Sequence, residues 1–163
     1  MEGLQIKPAA ETDGLYHYKE SGLDNYWLAS DLFQMGEYDG MKTVTFPKLF
    51  DIQATIGIHV CSFYRLLGAK EIRFLRTELG FSQADMGRAL GYKDKQRVAA
   101  AEKLDASRKA LLGAADLLLR QLYLNAVGQQ SLIGDAYKAQ ALELGKSLNQ
   151  PHLVDDQNWE IAA

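Results

Sequence analysis

Between Lys70 and Lys103 the chain reads KEIRFLRTELGFSQADMGRALGYKDKQRVAAAEK, and this stretch constrains the fold more than any other. Ile72, Leu75 and Leu79 fall at helical spacing, giving one apolar stripe of a short helix over Glu71 to Leu79. Gly80 follows, where a left-handed C-terminal cap is favoured. Ser82 stands as the N-cap of a second helix, Gln83 to Leu90, with Asp85 at the capping-box position. Met86, Ala89 and Leu90 are the expected core contacts of that helix. Gly91 ends it, and Asp94 is placed to cap a third helix running from Lys95 to Lys103. Long cationic and amide side chains gather where that third rod begins. A helix of this kind is about as wide as the major groove of duplex DNA.

The segments IRFLR, SQADMGRALG and VAAAEK resemble the lambda Cro/repressor-like (XRE) helix-turn-helix family. The resemblance implies that Ser82 and Gln83 open the second helix, with the Gln83 amide bracing the DNA backbone. It makes the next helix the recognition helix, whose N-terminal polar positions are held by Lys93, Lys95, Gln96 and Arg97. It also implies a structural pair between Arg76 and Glu102. The chain departs from the family pattern at Ala101, where an aromatic is common, at Leu104, where a glycine is common, and in a longer turn between Gly91 and Val98. The run Ala99 to Ala101 favours helix and offers no hydrogen bond to a base, although the Ala100 methyl can pack against a thymine methyl. Gln96 and Arg97 are the candidates for bidentate contact with base edges. Lys93, Lys95 and Lys103, with Gln83, are the candidates for the backbone.

A net charge of −3 looks unsuited to a DNA partner until it is divided along the chain. Residues 65–109 hold eleven Lys and Arg against six Asp and Glu, which is +5. Residues 1–64 hold four against nine, and residues 110–163 hold three against six, so both flanks are acidic. Cationic charge is thus concentrated on the proposed reading segment, as phosphate contact requires.

The flanks suggest an α+β, mainly helical protein. Residues 1–15 read as a loosely ordered lead, 16–64 as a small β-hairpin plus helix unit, 65–125 as the DNA-binding domain, and 126–163 as a C-terminal helix with an acidic tail. From Tyr16 to Phe46 aromatic and polar residues alternate, with Glu37 to Gly40 (EYDG) as a hairpin turn and MKTVTF as the returning strand. Leu49, Ile52, Ile56 and Val60 then give a helix from Leu49 to Cys61. YHYKESGLDNYWLAS and GAADLLLRQLYL resemble segments flanking the helix-turn-helix in antitoxin-like bacterial regulators of the same family, without the paired cysteines of the zinc-holding kind. Leu111 to Leu124 carries Leu111, Ala115, Leu118, Leu119 and Leu122 along one side, with Leu112, Leu117 and Tyr123 elsewhere. A further helix is expected over Ser131 to Leu148, and a mobile tail from Gln150. Surplus apolar faces on terminal helices point to a symmetric homodimer.

The apolar runs are far short of the ~20 residues needed to span a bilayer. The N-terminus shows no signal-peptide core, so a cytoplasmic protein without a membrane partner is expected. A single cysteine, Cys61, allows no internal disulfide or cysteine-based zinc site. His17, His59 and His152 are scattered, and no phosphate loop or paired-carboxylate motif occurs. The chain is therefore expected to be no enzyme and to need no cofactor or metal. The leading expectation is a sequence-specific regulator binding double-stranded DNA, an autorepressor on a palindromic operator and a candidate antitoxin. The alternative is a protein-interaction module with a degenerate helix-turn-helix that neutralises a toxin or other partner. Trp27 and Trp159 would grip that partner.

Overall fold

The structure is a computed structural model that describes residues 4–9, 12–63, 65–103, 111, 113–132 and 152–155. The chain is of mixed α and β type and divides into two compact units, 1–56 with 147–163, and 57–146. That division falls within a helix expected to lie wholly in the first unit.

The first unit holds two sheets. Strands β1 (Gln5–Pro8), β2 (Tyr16–His17), β3 (Tyr26–Leu28) and β6 (His152–Asp155) form one sheet in the order β1-β6-β3-β2. β6 runs antiparallel to β1 and parallel to β3. Tyr26 and Leu28 point to one face, and both are buried, as is Val154, the register partner of Leu28. Trp27 points the other way and stacks on His17, its cross-strand partner, with ring centroids 4.2 Å apart. Cross-strand ring pairs of this sort are a unit of sheet stabilisation.

Two expectations are corrected here. The lead carries strand β1, and the tail carries β6, because the apolar run His152-Leu153-Val154 fills the place between β1 and β3. The long alternating segment after Tyr16 is also not one strand. A 3-10 turn at Lys19–Ser21, ended by Gly22 with φ of 76°, separates β2 from β3.

Strands β4 (Gln34–Tyr38) and β5 (Met41–Thr45) form the second sheet, a hairpin whose two-residue turn is Asp39-Gly40. Both turn residues have positive φ, 50° and 74°, which matches the right-handed twist of the paired strands. Asp tolerates that conformation and Gly takes it without steric cost, so the expected hairpin forms where EYDG placed it.

Helix α1 (Leu49–Cys61) follows, with Ile52, Ile56 and Val60 buried at the expected spacing. In the second unit come α2 (Ala69–Glu78), α3 (Gln83–Ala89), α4 (Gln96–Ala101) and α5 (Gly113–Ala126). Gly80 and Gly91 lie in the left-handed region just past α2 and α3, as the end of each helix requires.

Helix α5 is held differently from its expected apolar stripe. Leu111, Ala115 and Leu119 are buried, but Leu118 and Leu122 are only half-buried, whereas Asp116 and Arg120 have no exposure at all. The Arg120 guanidinium donates to Asp116 Oδ1 at 2.7 Å and to the main-chain carbonyls of Cys61, Phe63 and Arg65. Asp116 Oδ2 accepts the Leu67 N–H at 2.7 Å. One buried ion pair thus satisfies the backbone of the link between α1 and α2, which would otherwise leave polar groups unpaired. The helix expected over Ser131 to Leu148 falls mostly outside the described residues; Ser131 and Leu132 lie in a 3-10 turn, Gln130–Leu132.

Candidate functional site

The candidate site is the surface made by α2, α3 and α4. Local chemistry starts each helix. Glu71 accepts the Gly68 N–H at 2.6 Å and pairs with Arg65, which fixes the start of α2. Ser82 Oγ accepts the Asp85 N–H at 3.1 Å while Asp85 accepts from the Ser82 N–H and hydroxyl, a reciprocal capping box. The Ser82 hydroxyl and N–H, and then the Arg88 guanidinium, hold the Asp85 carboxyl below its ordinary range. The first residue flanking α4 is Lys95, and its side chain makes no cap bond. Asp94, expected to be that cap, still serves the helix: its Oδ1 accepts the Gln96 N–H at 2.8 Å.

Helices α3 and α4 approach closely at Gly87. A Cβ there would lie 2.9 Å from the Asp94 carbonyl oxygen and 3.6 Å from Lys95 Cα. The absence of a side chain is what lets α4 start against α3. Gly87 is buried, whereas Ala89, expected in the core, is exposed. The reason is the short helix: Met86 and Leu90 already occupy its inward side at i and i+4 spacing.

Glu102, just past α4, joins the three helices. Its side chain is 1% exposed and takes Arg76 Nε on Oε1 at 2.5 Å and Arg76 Nη2 on Oε2 at 3.1 Å. Arg76 Nη1 also donates to the Phe81 carbonyl in the turn after α2. Arg76 and Glu102 therefore stand in contact. Gln83 Nε2 donates to Glu102 Oε2 at 2.9 Å, so one amide hydrogen of the residue expected on DNA is spent inside the protein. The Ser82 hydroxyl is likewise engaged by Asp85.

The remaining candidate residues are presented outward. Val98, Ala101 and Glu102 seat α4, while Lys93, Lys95, Gln96, Arg97 and Lys103 are exposed and Ala100 is half-buried. Among the described residues, no ion pair engages Lys93, Lys95 or Arg97. Sequence reasoning missed Gly87 and Arg73. Arg73 stands one helical turn before Arg76, an i, i+3 spacing that places both on one side of α2. That spacing was the available signal.

Among the described residues, no group of three or more His, Cys, Asp or Glu side chains is placed to hold a metal ion. Cys61 is buried and its thiol is pushed up to about 12 by that burial, so it stays protonated. His59, its neighbour on α1, is half-buried and packs edge-on against Phe63. Among the described residues no helix is long and apolar enough to cross a membrane. Comparisons of the chain with protein-family models, curated proteins and solved structures gave no significant match.

Proposed function

We propose that α3 and α4 form a helix-turn-helix of the lambda Cro/repressor-like type, and that the protein is a sequence-specific transcriptional regulator of duplex DNA. On this reading it represses its own operon as a homodimer on a palindromic operator, in the manner of an antitoxin. The observation that carries the reading is α4 itself. Val98, Ala101 and Glu102 seat it on the protein, while Gln96 and Arg97 in its first turn, and Lys95 and Lys103 flanking it, are exposed. Gln96 and Arg97 would read base edges, and Lys93, Lys95 and Lys103 would meet phosphates. Half-buried Leu117, Leu118 and Leu122 on α5 support a two-fold interface. A dimer would set two such helices in successive major grooves.

The test begins with sequencing the DNA fragments that co-purify with the protein, which yields the operator. Affinity for that operator, measured by anisotropy across a salt series, is expected to fall steeply as counterions compete. Binding indifferent to salt, or no enrichment of any fragment, overturns the reading.

A second reading has its own observation. Met35, Tyr38, Met41 and Phe50, all in the first unit, are 62%, 76%, 63% and 85% exposed. Large apolar side chains so far into solvent suit a protein partner, as in a module that binds and neutralises a toxin. Salt-insensitive co-purification with a neighbouring gene product, without DNA, favours this second reading.

A further inference from the structure

Glu102 carries one negative charge, yet two guanidinium groups converge on it. Arg76 and Gln83 already occupy its carboxylate oxygens at hydrogen-bond distance. Arg73 Nε is left 3.7 Å from Oε2, beyond a hydrogen bond, and its Nη2 is fixed instead on the Glu102 main-chain carbonyl at 3.1 Å. The Arg76 side chain is 16% exposed and the Arg73 side chain 60%. Arg76 is thus spent on structure, while Arg73, anchored through Nη2 and in only a long ion pair through Nε, keeps most of its side chain exposed. The two guanidinium groups together carry one charge more than Glu102 offsets.

Its position gives that charge a use. Arg73 is held at the C-terminal end of α4, beside exposed Lys103. Lys93 and Lys95 stand at the other end. From Gln96 to Ala101 a helical rise of about 1.5 Å per residue gives α4 a length of about 8 Å. Lys95 and Lys103 lie beyond its two ends, on the scale of the roughly 12 Å width of the major groove. Cations therefore flank the rod at both ends, as contact with the two phosphate walls of one groove would require. We propose that Arg73, together with Lys103, binds a backbone phosphodiester of duplex DNA at the end of α4 opposite Lys93 and Lys95. The inference rests on the DNA-binding reading above and adds to it a positioning residue from α2. Arg73 would contribute affinity common to all sequences and no base preference.

The experiment measures affinity for a mixed-sequence DNA duplex across a salt series, for the full chain and for Arg73→Gln and Arg73→Lys. Arg73→Gln is expected to reduce the steepness of log K against log salt by about 0.9, the loss of one phosphate contact. Arg73→Lys restores the slope, and both variants keep the thermal midpoint of the parent. A full slope in Arg73→Gln, a reduced slope in Arg73→Lys, or loss of cooperative unfolding in Arg73→Gln each overturns the proposal. If the unmodified chain shows no salt slope, the DNA reading itself falls. A steep parent slope that Arg73→Gln leaves unchanged sinks only the role given to Arg73.

Discussion

The carbonyl oxygen of Asp94 occupies the space a side chain on Gly87 would need, 2.9 Å from the Cβ position. Two effects of Gly87→Ala oppose each other. In a helix interior Ala is favoured over Gly by roughly 1 kcal/mol. The new methyl, however, meets backbone that cannot rotate away, and overpacking of this sort costs roughly 1–3 kcal/mol. The clash should win, so urea denaturation is expected to show net destabilisation of about 1 kcal/mol. On the proposed DNA-binding reading, displacement of α4 should lower DNA affinity as well. A variant as stable as the parent, with unchanged DNA binding, would show that α3 and α4 do not depend on this contact.

The Arg76–Glu102 pair is expected to be strongly coupled. Glu102 is almost fully buried, and removing Arg76 leaves its carboxylate with only Gln83 and the more distant Arg73. Breaking a buried pair from one side costs roughly 3–5 kcal/mol. Arg76 retains some solvent access, so the lower end of that range is expected for Arg76→Met. The double variant Arg76→Met/Glu102→Leu should be less damaged than the sum of the singles, with a coupling of about 1–3 kcal/mol. Additive losses in a denaturation-based double-mutant cycle would remove the pair from its place in the packing of the three helices.

Asp116 and Arg120 offer a sharper contrast. Arg120→Met would strand the Asp116 carboxylate together with the carbonyls of Cys61, Phe63 and Arg65 in a site with no solvent. A loss of at least roughly 3–5 kcal/mol follows. Asp116→Asn keeps an acceptor for the Leu67 N–H and should cost less. Circular dichroism melting of the two variants checks the order. Equal damage from both would mean that the carbonyl contacts of Arg120 contribute little.

These residues also show what the sequence could and could not convey. The Asp39-Gly40 turn, the Ser82–Asp85 capping box and the Leu49 to Cys61 helix were legible because each depends on neighbours within a few positions. Sheet order was not. Gln5 and Asp155 pair across almost the whole chain, and neither four-residue strand carries a local signal strong enough to announce itself. Asp116 and Arg120 were illegible for another reason. An acidic and a basic residue at i, i+4 usually mark a solvated helix face, and only the backbone of a distant link reverses that preference here. At the candidate site, the exposure of Lys95, Gln96 and Arg97 agrees with reading a polar helix start. The diversion of Gln83 to Glu102 depends on tertiary packing and could not be read locally.

The first unit should lose stability in mild acid through His152. Burial holds its imidazole below the ordinary value of 6.5, so the folded chain resists the proton that the unfolded chain accepts. The sign follows from linkage: the unfolded state binds more protons in this window, so stability rises with pH there. The contribution is whole above 6.5 and erodes as pH falls, until the folded imidazole itself titrates. In a Trp159→Phe background, Trp27 fluorescence should report a lower denaturant midpoint at about pH 5.5 than at about pH 7.5. His152→Asn should flatten that difference while His17 and His59 remain. An unchanged difference in His152→Asn would place the titrating group elsewhere.

Base reading is the last expectation, and it separates Arg97 from Lys95 although both are exposed cations two positions apart on the chain. A guanidinium can pair bidentately with a guanine edge, and each such pair discriminates by roughly 1–3 kcal/mol. A lysine on a phosphate supplies charge without base preference. Arg97→Ala should therefore weaken the operator selectively and narrow its margin over scrambled DNA by about tenfold or more. Lys95→Ala should weaken both duplexes by a similar factor and flatten the salt dependence by about one counterion. Competition gel shifts with both duplexes at fixed salt measure the two margins side by side. Uniform losses from Arg97→Ala would move that side chain from base reader to backbone contact and leave Gln96 as the candidate for specificity.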